Sequence, residues 1–200
     1  MANFEDALAY VGVNEGGFQK SPNDPGNWYN GELLGTKWGI SAPVAREHGY
    51  LGEMSQLPKS FANAIYRSTY WPGLEAITNQ AVATKIMDMR VQFGVSGGSK
   101  LAQRAANSVG GSLAVDGAIG PASIAAFNTI NASALMMALC DAMENAYLAD
   151  LAAHPAKAEN RDGWLARAAR VPSGVYLAAA GVSLLGLAIV IVAGYMLVTQ

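Results

Sequence analysis

The feature that most restricts this 200-residue chain is its last 30 residues, which contain no charged side chain. Within them, residues 175–198 are almost wholly apolar, relieved only by Gly181, Ser183, Gly186 and Gly194, with Tyr176 and Tyr195 near the two ends. About 20 such residues are enough for a helix to cross a bilayer, and tyrosines favour its two interfaces. A core helix of this length would show a polar face. The run is therefore expected to be a C-terminal transmembrane helix, with 172–174 (Pro-Ser-Gly) as the hinge before it. The remainder, residues 1–171, has to supply the folded domain.

Composition narrows what that domain does. A net charge of −2 and a pI near 5.6, with no cluster of Lys and Arg, give no field for holding nucleic acid. Cys140 is the single cysteine, so no intrachain disulfide can form, and its apolar helical setting suits core packing. His48 and His154 are far apart and lack Cys or Glu at ligand spacing, so no metal site is expected, and nothing calls for a cofactor. The N-terminus shows no basic flank followed by an apolar run, so no secretory leader is expected.

Periodicity makes the domain mainly α. Asn3 caps a first helix whose face carries Phe4, Ala7, Leu8 and Val11, and Gly16 stops it. The turn-rich segment 18–40 predicts a small β-hairpin about Asn30-Gly31. Ser41 caps a short helix through His48, and another helix runs from Pro58 to Tyr70, placing Tyr66 and Tyr70 on one face. Val82, Ile86, Met89 and Phe93 mark the next helix, interrupted by Asp88 and Arg90 and ended by Gly94 and Gly97-Gly98. A further helix starts at Leu101. Pro121 opens the next, a long one carries Leu135, Leu139 and Met143 to about Ala153, and a short amphipathic piece surrounds Trp164.

Chemistry concentrates between residues 14 and 41. Glu15 extends the apolar stripe of the first helix at the point where Gly16 and Gly17 end it, and burial there raises a carboxyl pKa toward that of a general acid. Asp24, in a polar Asn-Asp-Pro-Gly turn, would stay ionised. Two carboxyl groups in contrasting surroundings suit glycosidic bond hydrolysis. A Glu before Gly-Gly is equally a helix end, and Asp-Pro-Gly equally a turn. Tyr66, Tyr70 and Trp71 could stack on sugar rings or fill a core.

Taken in order, Phe4-Glu5-Asp6-Ala7-Leu8 leading to Glu15-Gly16-Gly17, Asp24-Pro25-Gly26, Thr36-Lys37-Trp38-Gly39-Ile40-Ser41, Ile65-Tyr66 through Tyr70-Trp71, and Asp88 resemble glycoside hydrolase family 108. These are phage and bacterial N-acetylmuramidases with a lysozyme-like helical fold. Residues 101–127, with Gln103 and the segment from Val115 to Pro121, resemble the helical peptidoglycan-binding region that accompanies the family.

The resemblance implies a catalytic lobe over 1–95 and a peptidoglycan-binding-like lobe over 96–171, packed in one domain. It implies cleavage of the β-1,4 bond between N-acetylmuramic acid and N-acetylglucosamine in peptidoglycan glycan strands. Glu15 would be the acid, Asp24 and Thr36 would place a water, and Trp38, Tyr66, Tyr70 and Asp88 would bind substrate. Glu15 and Asp24 match the interval of phage-type lysozymes, whereas Thr36 lies about six residues late, as if residues 28–34 were inserted. With Asp24 as base the reaction inverts, at a carboxyl separation of about 6.5–9.5 Å.

The alternatives are a lytic transglycosylase, which also uses one Glu, and a non-catalytic membrane-anchored wall-binding protein. With Arg167 and Arg170 before the apolar run and no charge after it, the positive-inside rule keeps the domain on the cytoplasmic side. The expectation is a phage endolysin anchored in the host inner membrane, acting on the periplasmic wall once a holin or membrane collapse exposes it.

Overall fold

The computed structural model describes residues 1–12 and 17–172. The expected transmembrane run and the segment carrying Glu15 lie outside the described residues. Among those described, no single helix is long and apolar enough to cross a membrane. The architecture is mainly helical with two small antiparallel strand pairs.

Helix α1 (Phe4–Gly12) starts as its sequence dictates, with the Asn3 side chain accepting from the amides of Glu5 and Asp6 at 2.7 and 3.2 Å. Phe4, Ala7 and Val11 are buried against α4 (Gln80–Ser108), the longest helix, which also packs on α6 (Ala132–Ala153). Between α1 and α4 come β1 (Trp28–Tyr29), β2 (Glu32–Leu33), β3 (Thr36–Lys37), β4 (Ile40–Ser41), α2 (Ala42–Glu47) and α3 (Lys59–Ile65). Helix α5 (Pro121–Thr129) takes Pro121 in its first turn, and α7 (Arg161–Ala169) closes the described chain against α6. There Trp164 stacks on Tyr147, the ring centroids 5.0 Å apart.

Three expectations change. Gly97-Gly98 does not end a helix: the break falls at Gly94 alone (φ 73°, ψ 160°), and the helix resumes at once. The reason is close approach, since a Cβ on Gly98 would lie 2.4 Å from the Arg90 amide nitrogen. Only glycine lets the second half of α4 turn back so tightly on the first. The helix expected from Pro58 to Tyr70 is α-helical only to Ile65, and Tyr66–Tyr70 form a π-helical turn. Ser41 sits at the N-cap of α2 but makes no side-chain capping bond.

The core holds an unusual amount of charge. Lys85 and Asp88 are fully buried and Arg90 is nearly so. The Lys85 ammonium donates to the carbonyls of Arg167, Ala168 and Arg170 at 3.1, 2.8 and 3.0 Å, capping the C-terminus of α7 from inside the protein. Burial pulls its pKa below the usual lysine range. Arg90 donates from Nε to Ser99 Oγ at 2.9 Å, bridging the break at Gly94, and from Nη1 to the carbonyls of Tyr70 and Pro72 at 3.1 and 2.9 Å.

One further contact ties the end of the described chain to α1. The Tyr10 hydroxyl donates to the Arg170 carbonyl at 2.7 Å, the Arg170 guanidinium donates back to the Tyr10 carbonyl, and it lies 3.7 Å from the centre of the Tyr10 ring. Burial, then the Asp88 charge, push the Tyr10 phenol up to about 12.

Candidate active site

The strand pairs are built from left-handed turns. Asn30 (φ 50°) and Gly31 (φ 82°) join β1 to β2, in the register Trp28 opposite Leu33. This is the hairpin that Asn-Gly announces. A second hairpin, β3 to β4 with Thr36 opposite Ser41, turns through Trp38 (φ 54°) and Gly39 (φ 72°). The sequence reading missed it, because a tryptophan is a poor occupant of that backbone region.

Such a conformation costs on the order of 1–3 kcal/mol and persists only where the surroundings over-determine it. They do so here. Trp38 Nε1 donates to the Leu57 carbonyl at 3.0 Å, its own carbonyl accepts from the Tyr66 hydroxyl at 2.9 Å, and the ammonium groups of Lys37 and Lys59 lie 5.6 and 5.5 Å from the ring centre.

Trp38 forms one wall of a cleft of about 380 Å³. Leu8, Ala9 and Gly12 of α1 form another, with Lys59, Asn63 and Tyr66 beyond. Glu5 is the one carboxylate among the described lining residues, and it is ion-paired with Arg67 at 2.5 Å. The described chain stops at Gly12 on this wall and resumes at Gly17, two residues before Gln19 bridges to Thr36. Glu15 falls in that interval, outside the described residues.

The other expected site residues divide. Trp38 and Tyr66 line the cleft, and Tyr66, itself buried, braces Trp38 through its hydroxyl. Tyr70 packs on the Tyr66 ring at 5.7 Å but is not among the lining residues. Thr36 stands half-buried in β3, its hydroxyl bonded to no described residue, and its backbone exchanges two bonds with Gln19, both at 2.9 Å.

Asp24 has a structural task. Its Oδ1 accepts from the Gly26 amide at 2.9 Å, capping the turn Pro25–Asn27, and its Oδ2 accepts from Gln19 Nε2 at 2.8 Å. The centre of this loop is Asn27, which the sequence reading did not single out. It is fully buried, bonded through its side chain to Gln19 and Ser21, and its carbonyl accepts from Leu34 and Gly35.

Asp88, expected to bind substrate, is fully buried, and its Oδ1 accepts from Arg167 Nε at 2.9 Å and Nη2 at 2.7 Å. Enclosed in this way, its charge is offset inside the core by the Arg167 guanidinium.

The described chain is a helical body with an aromatic-walled cleft beside two small hairpins. Residues 8–94 match the family model described as Glycosyl hydrolase 108, and residues 97–169 match the one described as Predicted Peptidoglycan domain. These matches make the chain a glycoside hydrolase acting on peptidoglycan. It is similar to a solved structure titled "Structure of Brucella abortus SagA", at 28% identity and a TM-score of 0.68, over 90% of this chain and 97% of that one. No curated protein matches.

Proposed function

We propose that the protein is an N-acetylmuramidase of lysozyme-like fold that cleaves the β-1,4 bond between N-acetylmuramic acid and N-acetylglucosamine, with Glu15 as general acid. The observation that carries this reading is the cleft walled by Trp38 and by the end of α1. Gly12 lines it three residues before Glu15, and its described carboxylate, Glu5, is already held by Arg67. An aromatic wall meets the apolar C–H face of a sugar, while Lys59 and Asn63 offer donors to its oxygens.

In this reading Thr36, whose hydroxyl bonds no described residue, holds a water. Asp24, with both oxygens already accepting hydrogen bonds, is the weaker candidate for activating one. Digestion of purified peptidoglycan followed by mass spectrometry tests the reaction: a reducing N-acetylmuramic acid end is expected. A 1,6-anhydro end, lighter by one water, would make the enzyme a lytic transglycosylase, a reaction for which a single Glu suffices.

Replacing Trp38 by Ala should raise KM for peptidoglycan about tenfold, the equivalent of roughly 1.4 kcal/mol of lost ring contact, and lower kcat less. An unchanged KM would remove Trp38 from the sugar site.

The same reading makes residues 175–198 a membrane anchor, and the protein a phage endolysin held at the host inner membrane until a holin or membrane collapse brings it to the wall. Deleting residues 175–200 should move the enzyme from the membrane fraction to the soluble fraction with its activity intact. Full-length protein found wholly soluble would end the anchoring proposal.

A further inference from the structure

A hollow of about 690 Å³ lies away from Trp38, between the second half of α4 and the outer face of α6. Its floor consists of methyl groups, Ala105 from α4 and Ala138 and Ala142 from α6. Leu101, Val109 and Met137 add apolar surface, and Met137 is 63% exposed, much for so large an apolar side chain. Beside Ser108, whose hydroxyl donates to the Ala105 carbonyl at 2.8 Å, polar groups come from three residues, Arg104 on the α4 side and Asp141 and Asn145 on the α6 side. All three are exposed. No hydrogen bond or ion pair joins any of them to another described residue.

A groove with a methyl-lined floor, a cation on one side and an anion on the other is complementary to a short zwitterionic peptide with small side chains. The peptide stem of peptidoglycan has this chemistry: alanine methyls, free carboxylates, and a diamino acid with an ammonium group. The groove lies inside residues 97–169, the part that matches the peptidoglycan domain model.

We infer that this groove is a second substrate site, which binds the peptide stem while the glycan occupies the Trp38 cleft. Arg104 takes a stem carboxylate, Asp141 takes the ammonium of the diamino acid, and Asn145 bonds the peptide backbone. The inference rests on peptidoglycan being the substrate, and it makes the enzyme selective for glycan that still carries its stems.

Two experiments on the full chain test it. Titration with a free diaminopimelate-containing tetrapeptide, followed by NMR, should show saturable binding that weakens about tenfold or more in Arg104→Glu and in Asp141→Lys, each the loss of one charge-assisted contact. In parallel, cleavage is measured on intact peptidoglycan and on glycan strands stripped of their stems by an amidase. Both variants should lose kcat/KM on the intact polymer and match wild type on the stripped strands, with unchanged melting temperatures.

No tetrapeptide binding by wild type, or equal losses on both polymers, would overturn the inference. So would a concentration-dependent dimer that Arg104→Glu abolishes and Arg104→Glu with Asp141→Arg restores, because the groove would then face a second copy of the chain. Failure of the proposed activity looks different: wild type cuts neither polymer yet still binds the tetrapeptide.

Discussion

Glu15→Gln should abolish turnover of purified peptidoglycan, lowering kcat by about 10²–10⁴-fold, the contribution typical of a positioned general acid. The substitution preserves shape and removes only the proton that the leaving oxygen needs. Melting temperature, and retention on intact peptidoglycan in a sedimentation assay, should stay at wild-type values. Substantial residual cleavage would rule Glu15 out and send the search for an acid back to Glu5, the described carboxylate of the cleft. Arg67→Ala would then be the informative variant, since it frees Glu5 from its ion pair.

The second large effect is on stability. Asp88→Ala leaves the Arg167 guanidinium, itself mostly buried, without the carboxylate that receives two of its N–H groups. Breaking a buried pair from one side costs about 3–5 kcal/mol, a fall of roughly 6–20 °C in melting temperature for a domain of this size. Replacing the pair together, Asp88→Leu with Arg167→Met, should recover much of the loss, because no orphaned charge remains. A substrate-binding Asp88 predicts the reverse pattern, with KM rising and melting unchanged. Thermal denaturation beside Michaelis analysis of the same two proteins separates the roles.

What the sequence made legible was local. Asn3 as a cap, Pro121 as a helix opener, the Asn30-Gly31 turn and the end of α6 at Ala153 each depend on a few neighbouring residues, and each is found where its chemistry puts it. The charged core was not legible. Asp88 and Arg90 read as interruptions of an apolar stripe because their partners are remote: Arg167 is 79 residues from Asp88, and Tyr70 is 20 from Arg90.

The site was half legible. Trp38 and Tyr66, which the family resemblance implies as substrate-binding, do line the cleft, but nothing local shows that Trp38 occupies a left-handed turn. Nor does a spacing of four show that Tyr66 and Tyr70 stand in a π-helical turn. Asn27, which organises the loop below them, looks in sequence like one more turn residue. The one available signal was Trp38-Gly39 flanked by two short extended segments, which fits a hairpin once the tryptophan is allowed its positive φ.

Under the proposed membrane anchoring, the pairing of Arg167 and Arg170 would bear on the order of events during biosynthesis. Charges beside an apolar run orient it by meeting lipid headgroups, which requires them to be free. In the folded domain Arg167 is paired with Asp88, and Arg170 lies on the Tyr10 ring with its guanidinium bonded to the Tyr10 carbonyl. If residues 175–198 cross a bilayer as proposed, a domain that folds first would present it with positive charges already taken. For these arginines to set the direction of a crossing, the translocation machinery must read them on the nascent chain, before α7 docks. A polypeptide delivered late, already folded, would have lost that instruction.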